Sequence, residues 1–254
     1  MKADTMPYSI ALAGKGGTGK TTLAGMLIKF LVMKEKTPIL AVDADSNANL
    51  NEVLGLEVAD TLGNAREEMK KGNVPVGMTK DVFISMKFEH AIIEAEKYDL
   101  IVMGRPEGTG CYCAANSLLV GFLERLTNNY SYIVMDNEAG MEHISRLTTN
   151  NVDVLLIASD TSRRGILAAV RINKLAKDLN IGVGKSWLVI NQTKEPPPAL
   201  ALNMIKDEDL EIIGTIPEDN TIYEYDLMGR PTIEIPEDNK AVKAAFKIFD
   251  KIVE

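Results

Sequence analysis

The sequence predicts an α/β protein: a doubly wound, mostly parallel sheet with helices on both faces. Three observations carry this. Short unbroken apolar runs alternate with helix-period segments along most of the 254 residues, the pattern of parallel strands buried on both faces and joined by crossover helices. The first run leads at once into a glycine-rich turn and a helical pattern. Later runs end on Asp43, Asp136 and Asn191, polar groups placed where such sheets bind ligands, beyond the carboxyl ends of the strands.

The elements follow in order. Tyr8–Ala13 is the first strand and Thr21–Met33 the first helix. Pro38–Asp43 is the second strand. Residues 54–87 mix helix and loop signals and give no firm element. Leu100–Met103 and Tyr132–Asp136 are strands, separated by a helical run over Ala114–Thr127. A short helix, Ile144–Asn150, precedes the strand Val152–Ala158. Arg164–Leu179 is a helix, Ser186–Asn191 a strand and Ala199–Lys206 a helix. Ile212–Pro217 is the last strand, followed by helices over Thr221–Leu227 and Asn239–Val253. Strand and helix in alternation imply right-handed βαβ units. No Pro/Gly/Ser-rich linker and no internal repeat interrupts the chain, so residues 1–254 read as a single domain.

The turn after the first strand is Gly14-Lys15-Gly16-Gly17-Thr18-Gly19-Lys20-Thr21-Thr22, a G-x-x-x-x-G-K-T phosphate-binding loop in its required strand–turn–helix setting. Glycines let successive backbone N–H groups converge on phosphate oxygens without a Cβ in the way. The helix N-terminus adds partial positive charge. Lys20 would reach the β- and γ-phosphates, and the Thr21 hydroxyl would ligate Mg²⁺. Gly14, Gly16 and Gly19 also spell G-x-G-x-x-G, with Asp43 and Asp45 downstream as a dinucleotide site would want. That reading leaves Lys20 and Thr21 unexplained, whereas the phosphate loop uses all nine residues.

Lys15, directly after the first glycine, gives a loop that resembles the deviant Walker A of a P-loop ATPase class. That class includes nitrogenase iron protein, the ParA and MinD partition ATPases and several metal-insertion ATPases. The resemblance implies a homodimer that sandwiches ATP, with Lys15 reaching the partner's nucleotide. It assigns Asp43-Ala44-Asp45 to the first switch: Asp45 orients or deprotonates the attacking water, and Asp43 supports the Mg²⁺ shell. It assigns Asp136-Asn137-Glu138-Ala139-Gly140 to the second. Asp136 would hold Mg²⁺ through a water, and the Gly140 N–H would sense the γ-phosphate. Ser46 and Glu138 stand where many relatives carry proline. Asn191 matches the asparagine that reads adenine, and the N-K-x-D of GTP-using relatives is absent from Asn191-Gln192-Thr193-Lys194, which favours ATP.

Bulk properties exclude some classes. A net charge of -8 argues against broad nucleic-acid binding. No apolar run is long enough to span a membrane and no signal peptide is evident, so the expected location is the cytoplasm. The only cysteines, Cys111 and Cys113, cannot make an ordinary disulfide framework, which a reducing compartment disfavours in any case. They stand between a glycine-rich loop and a helical run, where thiolates have lowered pKa and favour metal. Two thiolates are too few for a four-coordinate site, but a two-fold dimer supplies four. Packing as small core thiols and capture of a [4Fe–4S] cluster are the other readings of this pair.

The cysteine pair Cys111-Tyr112-Cys113 before a helix, the deviant loop, and Asp136-Asn-Glu-Ala-Gly140-Met-Glu142-His143 together resemble the CooC/AcsF family. These are the nickel-insertion ATPases that mature carbon monoxide dehydrogenase and acetyl-CoA synthase. The resemblance runs along nearly the whole chain and leans toward the acetyl-CoA synthase branch. It implies nickel held by Cys111 and Cys113 of both subunits, with zinc as an alternative occupant of soft thiolates. The expected partners are a second copy of the chain and a nickel enzyme, with no nucleic acid and no membrane. A MinD/ParA-like partition or membrane-positioning ATPase is the rival reading. It would use the final helix, where Lys243, Lys247 and Lys251 share one face and apolar residues fill much of the rest. A helix packed on the sheet produces the same stripe. His143 reads as a helix-start residue rather than a ligand.

Overall fold

A computed structural model describes residues 6–45, 47–71, 74–104, 121–137, 151–178, 182–195, 197, 199–206 and 208–253. In chain order the elements are β1 (Tyr8–Gly14), α1 (Lys20–Met33), β2 (Ile39–Ala44), α2 (Leu50–Leu54), α3 (Leu62–Lys71), α4 (Lys80–His90), β3 (Ile92–Glu94), β4 (Tyr98–Val102), β5 (Tyr132–Asn137) and β6 (Asn151–Ser159). They continue with α5 (Arg163–Asp178), β7 (Gly182–Thr193), α6 (Ala199–Ile205), β8 (Glu211–Pro217), α7 (Asn220–Leu227), a 3₁₀ turn (Thr232–Glu234) and α8 (Lys240–Phe249).

Among the described residues the strands form one sheet in the order β3-β4-β2-β5-β1-β6-β7-β8. Every pairing is parallel except β3 with β4. The sheet divides two apolar clusters. Ile10 and Leu12 of β1 face a cluster that includes residues of α1 and α8. Ala11 and Ala13 face the other, with residues of α3, α4 and α5. The period of two along a strand thus puts helices on both faces, as expected. β1 lies between β5 and β6, so the loop that leaves its end emerges at the reversal of strand order, the place where open α/β sheets bind ligands.

All seven expected strands are present within one to four residues of their sequence bounds. The difference lies in residues 50–94. Three helices and the antiparallel edge strand β3 occupy this stretch. α3 buries only Leu62, Gly63 and Ala65 among its described side chains, so its apolar stripe is too thin to give a period. α4 announces itself through its cap: the Thr79 side chain accepts from the Val82 N–H at 3.3 Å. β3 has three residues and pairs only along Ile92–Glu94, too short for alternation to register. The expected helix Ile144–Asn150 and the first part of Ala114–Thr127 lie outside the described residues, while residues 121–127 are helical. The last helix ends at Phe249, and its start is fixed by Asn239, whose side chain accepts from the Ala241 and Val242 N–H groups.

The apolar stripe of α8 is spent on packing. Val242, Ile248 and Phe249 are at most 2% exposed, and Phe249 meets Phe30 of α1 edge-on. Each such side chain is worth about 1.5–3 kcal/mol buried. Lifting the helix off to enter a bilayer would consume much of a domain's net stability of about 5–15 kcal/mol. No helix among the described residues is long and apolar enough to cross a membrane.

Candidate nucleotide site

The phosphate loop spans the gap between β1 and α1, and backbone geometry explains its glycines. Gly17 and Gly19 have φ of 81° and 77°, a left-handed conformation that L side chains resist. A Cβ on Gly19 would lie 2.5 Å from Asn191 Nδ2, and one on Gly14 would lie 2.3 Å from the Ala158 carbonyl oxygen. A Cβ on Gly16 or Gly17 meets nothing within 4 Å, so those two border open space. The Lys15 carbonyl ties the loop together. It accepts from the Thr18 N–H at 3.3 Å, the Thr18 hydroxyl at 2.8 Å and the Lys20 ammonium at 3.5 Å. The Lys15 side chain is exposed. Lys20 is 8% exposed. Its ammonium is therefore held inside the loop by a backbone carbonyl.

Asp43 and Asp136 end adjacent strands in register. Asp136 is 1% exposed, and Thr21 of α1 hydrogen-bonds to its carboxyl. Among the described residues its Oδ1 has no hydrogen-bond partner. Burial pushes this carboxyl up to about 7, helped by the charges of Asp43 and Asp45 and opposed by Thr21 and Lys20. A buried oxygen without a partner is costly unless something fills the place. A hydroxyl and a carboxylate side by side, below a phosphate-binding loop, are hard oxygen donors of the kind Mg²⁺ takes together with substrate phosphates. The residues fit that ion.

Asp43 is fully buried, and both its oxygens are engaged. Oδ1 accepts from the Asp45 N–H at 3.1 Å and Oδ2 from the Leu50 N–H at 2.9 Å. Burial pushes this carboxyl up to about 6, against those backbone bonds. Asp43 is thus the brace of the loop that carries Asp45. Asp45 is partly exposed and caps the Asn47 N–H at 2.8 Å.

Asn191, in β7, donates its amide to the Thr18 carbonyl at 2.9 Å. It fastens the phosphate loop to a third strand, a role that strand-end position alone did not disclose. Beside it opens a cavity of about 310 Å³, lined by residues that include Gly19, Thr22, Asn191 and Pro217. Tyr223 and Asp226 of α7 complete its far wall. The sequence reading missed them. The available signal was Asp219, whose side chain accepts from the Thr221 N–H and starts α7 immediately after β8. Asn137, read only as a motif spacer, is buried and donates to the Leu12 and Met135 carbonyls, pinning the end of β5 to β1.

Gly14 to Thr22, Asp43, Asp45, Asp136 and Asn191 thus gather at one end of the sheet. Cys111, Cys113, Gly140 and His143 lie outside the described residues. Among the described residues no group of three or more His, Cys, Asp or Glu side chains could hold a metal ion.

Residues 9–233 match the CobQ/CobB/MinD/ParA nucleotide binding domain family, and the chain belongs to that family of P-loop ATPases. It is 44% identical to an uncharacterized ATP-binding protein of Methanocaldococcus jannaschii, over 96% of this chain and 98% of that protein. It is 30% identical to the carbon monoxide dehydrogenase accessory protein CooC of Rhodospirillum rubrum, over 87% of each chain. In structure it is similar to the septum site-determining protein MinD of Pyrococcus horikoshii, solved with Mg-ADP: TM-score 0.72, 21% identity, covering 98% and 97% of the two chains.

Proposed function

We propose that this family member is an ATP-dependent nickel metallochaperone. It works as a homodimer, holds nickel as cargo between Cys111 and Cys113 of both subunits, and inserts it into a nickel enzyme, acetyl-CoA synthase ahead of carbon monoxide dehydrogenase. The observation that carries this reading is the coexistence, in one chain, of a nucleotide site with a bare Asp136 oxygen and a Cys-x-Cys pair that no disulfide explains. The likeness to a carbon monoxide dehydrogenase accessory protein supports the same client class.

In this reading Lys20 leaves the Lys15 carbonyl for the β- and γ-phosphates. Thr21 and Asp136 would hold Mg²⁺, which would neutralise developing phosphate charge. Asp45, kept in place by the Asp43 brace, orients the attacking water and takes its proton. The water oxygen bonds to the γ-phosphorus as the bond to the bridging oxygen breaks, giving ADP and phosphate. Asn191 keeps the loop seated while the adenine enters the cavity beside it. The exposed Lys15 side chain is free to cross to the partner's nucleotide. Closing and opening of the dimer then brings the four thiolates together and releases them. A membrane-positioning role is disfavoured by the buried apolar face of α8.

The test is calorimetric titration with Ni²⁺ of the wild type and of Cys113→Ala under anaerobic reducing conditions, with sedimentation alongside. A single nickel per dimer, lost in the variant while ATP turnover persists, is the expected result. Undiminished nickel binding by Cys113→Ala would place the metal elsewhere and refute the shared thiolate site.

A further inference from the structure

We propose that the groove between β8 and α8 docks a short, extended, acidic segment of a partner protein. β8 is the last strand of the sheet, with no strand on its outer side among the described residues. α8 overhangs it, and Gly214 permits the approach: a Cβ there would lie 2.6 Å from the Ile248 side chain. The resulting groove, about 490 Å³, has Ile213 and Thr215 on one wall and Lys240, Lys243, Lys247 and Lys251 on the other.

The lysine spacing puts Lys240, Lys243 and Lys247 on one helix face, with Lys251 in the turn just past its end, a line of about 16 Å, the reach of roughly five extended residues. All four are exposed. Lys240 stands 3.8 Å from Asp219, and Lys251 donates to the Ile213 carbonyl at 3.0 Å. The Lys243 and Lys247 ammonium groups have no ion-pair or hydrogen-bond partner among the described residues. Among the described residues no carboxylate lines the groove, on a chain whose net charge is -8.

Lysines that merely guard a sheet edge against pairing sit on the edge strand itself, and β8 (Glu-Ile-Ile-Gly-Thr-Ile-Pro) has none. Charge complementarity therefore selects an anionic occupant, and shape selects a short one. Charges more than about 8 Å away are screened at physiological salt, so a five-residue segment in the groove meets chiefly the four lysines that line it, with Asp219 beside Lys240 at one end. A duplex or a bilayer would extend past the groove onto the acidic remainder of the surface. The bilayer would also find no free apolar face on α8, because Val242, Ile248 and Phe249 are buried.

The test is fluorescence anisotropy of labelled hexaglutamate and hexaglutamine with the full chain. Binding of hexaglutamate alone is expected, weakened about tenfold by Lys243→Glu with Lys247→Glu, with ATP turnover unchanged. Lys80→Glu with Lys97→Glu, the same charge change at exposed sites elsewhere, should leave binding near the wild-type level. Absence of hexaglutamate binding would overturn the proposal, as would equal weakening by the control pair. Tighter binding to phosphatidylserine vesicles or to duplex DNA than to the peptide would overturn it as well.

Discussion

The ends of β2 and β5 carry the same residue, in register and at the same depth, and treat it differently. Asp43 gives one oxygen to the Asp45 N–H and the other to the Leu50 N–H. Asp136 has Thr21 at its carboxyl and, among the described residues, no partner at Oδ1. Both pay for burial with a raised carboxyl. Among the described residues one carboxyl has both oxygens hydrogen-bonded, and the other has one oxygen left over. Burial and strand-end position alone therefore do not identify a metal ligand. The state of each oxygen divides the two, and under the proposed function it makes Asp43 a brace for the Asp45 loop and Asp136 the anchor for Mg²⁺.

That contrast can be broken from the nucleotide side first. Lys20→Ala removes the only lysine held inside the phosphate loop and should weaken ATP binding or turnover by about a hundredfold or more. The measurement is nucleotide binding by calorimetry together with phosphate release. Circular dichroism should stay unchanged, because the Lys15 carbonyl keeps its two bonds from Thr18.

The next effect is on stability. Both carboxyls are raised in the folded protein, to about 6 for Asp43 and about 7 for Asp136, above the unfolded value near 3.8. Between those values the native state binds more protons than the unfolded one. The metal-free, nucleotide-free protein should therefore lose stability as pH rises from about 4 through about 7, by up to about 7 kcal/mol in all. Urea unfolding in EDTA at pH values across this window measures it. Asp136→Asn should flatten the slope more than Asp43→Asn, because the Asp136 shift is the larger. Equal slopes in the two variants would dissolve the distinction between them.

The smallest expected effect is at Asn191. Its 2.9 Å bond to the Thr18 carbonyl is worth about 1 kcal/mol, so Asn191→Ala should raise the KM for ATP about fivefold and leave kcat nearly unchanged. A loss confined to kcat would mean that the amide acts on the reacting phosphate rather than through the loop.

The sheet and the phosphate loop were legible because their signals are local. A buried parallel strand is an unbroken apolar run, and a phosphate loop needs glycine where φ is positive, as at Gly17 and Gly19. Residues 50–94 were not legible. α3 is highly charged and buries little, and β3 exists only because β4 pairs with it. Within the site, the sequence placed Asp43, Asp136 and Asn191 correctly at strand ends but could not divide their labour. Which oxygen meets which N–H depends on how the 45–50 loop folds back, and that the Asn191 amide faces Thr18 depends on β7 lying next but one to β1. Both are tertiary facts without a local signature.

The most direct test of the central claim is the Mg²⁺ dependence of ATP hydrolysis in Asp136→Asn set beside Asp43→Asn. Asp136→Asn should lose about a hundredfold in kcat and need far more Mg²⁺ for half-maximal rate. Asp43→Asn should keep the wild-type Mg²⁺ requirement, with a lower rate from a loosened Asp45 loop. The same shift in Mg²⁺ requirement in both variants, or a shift in Asp43→Asn alone, would contradict the assignment of Asp136 as the metal anchor and Asp43 as the brace.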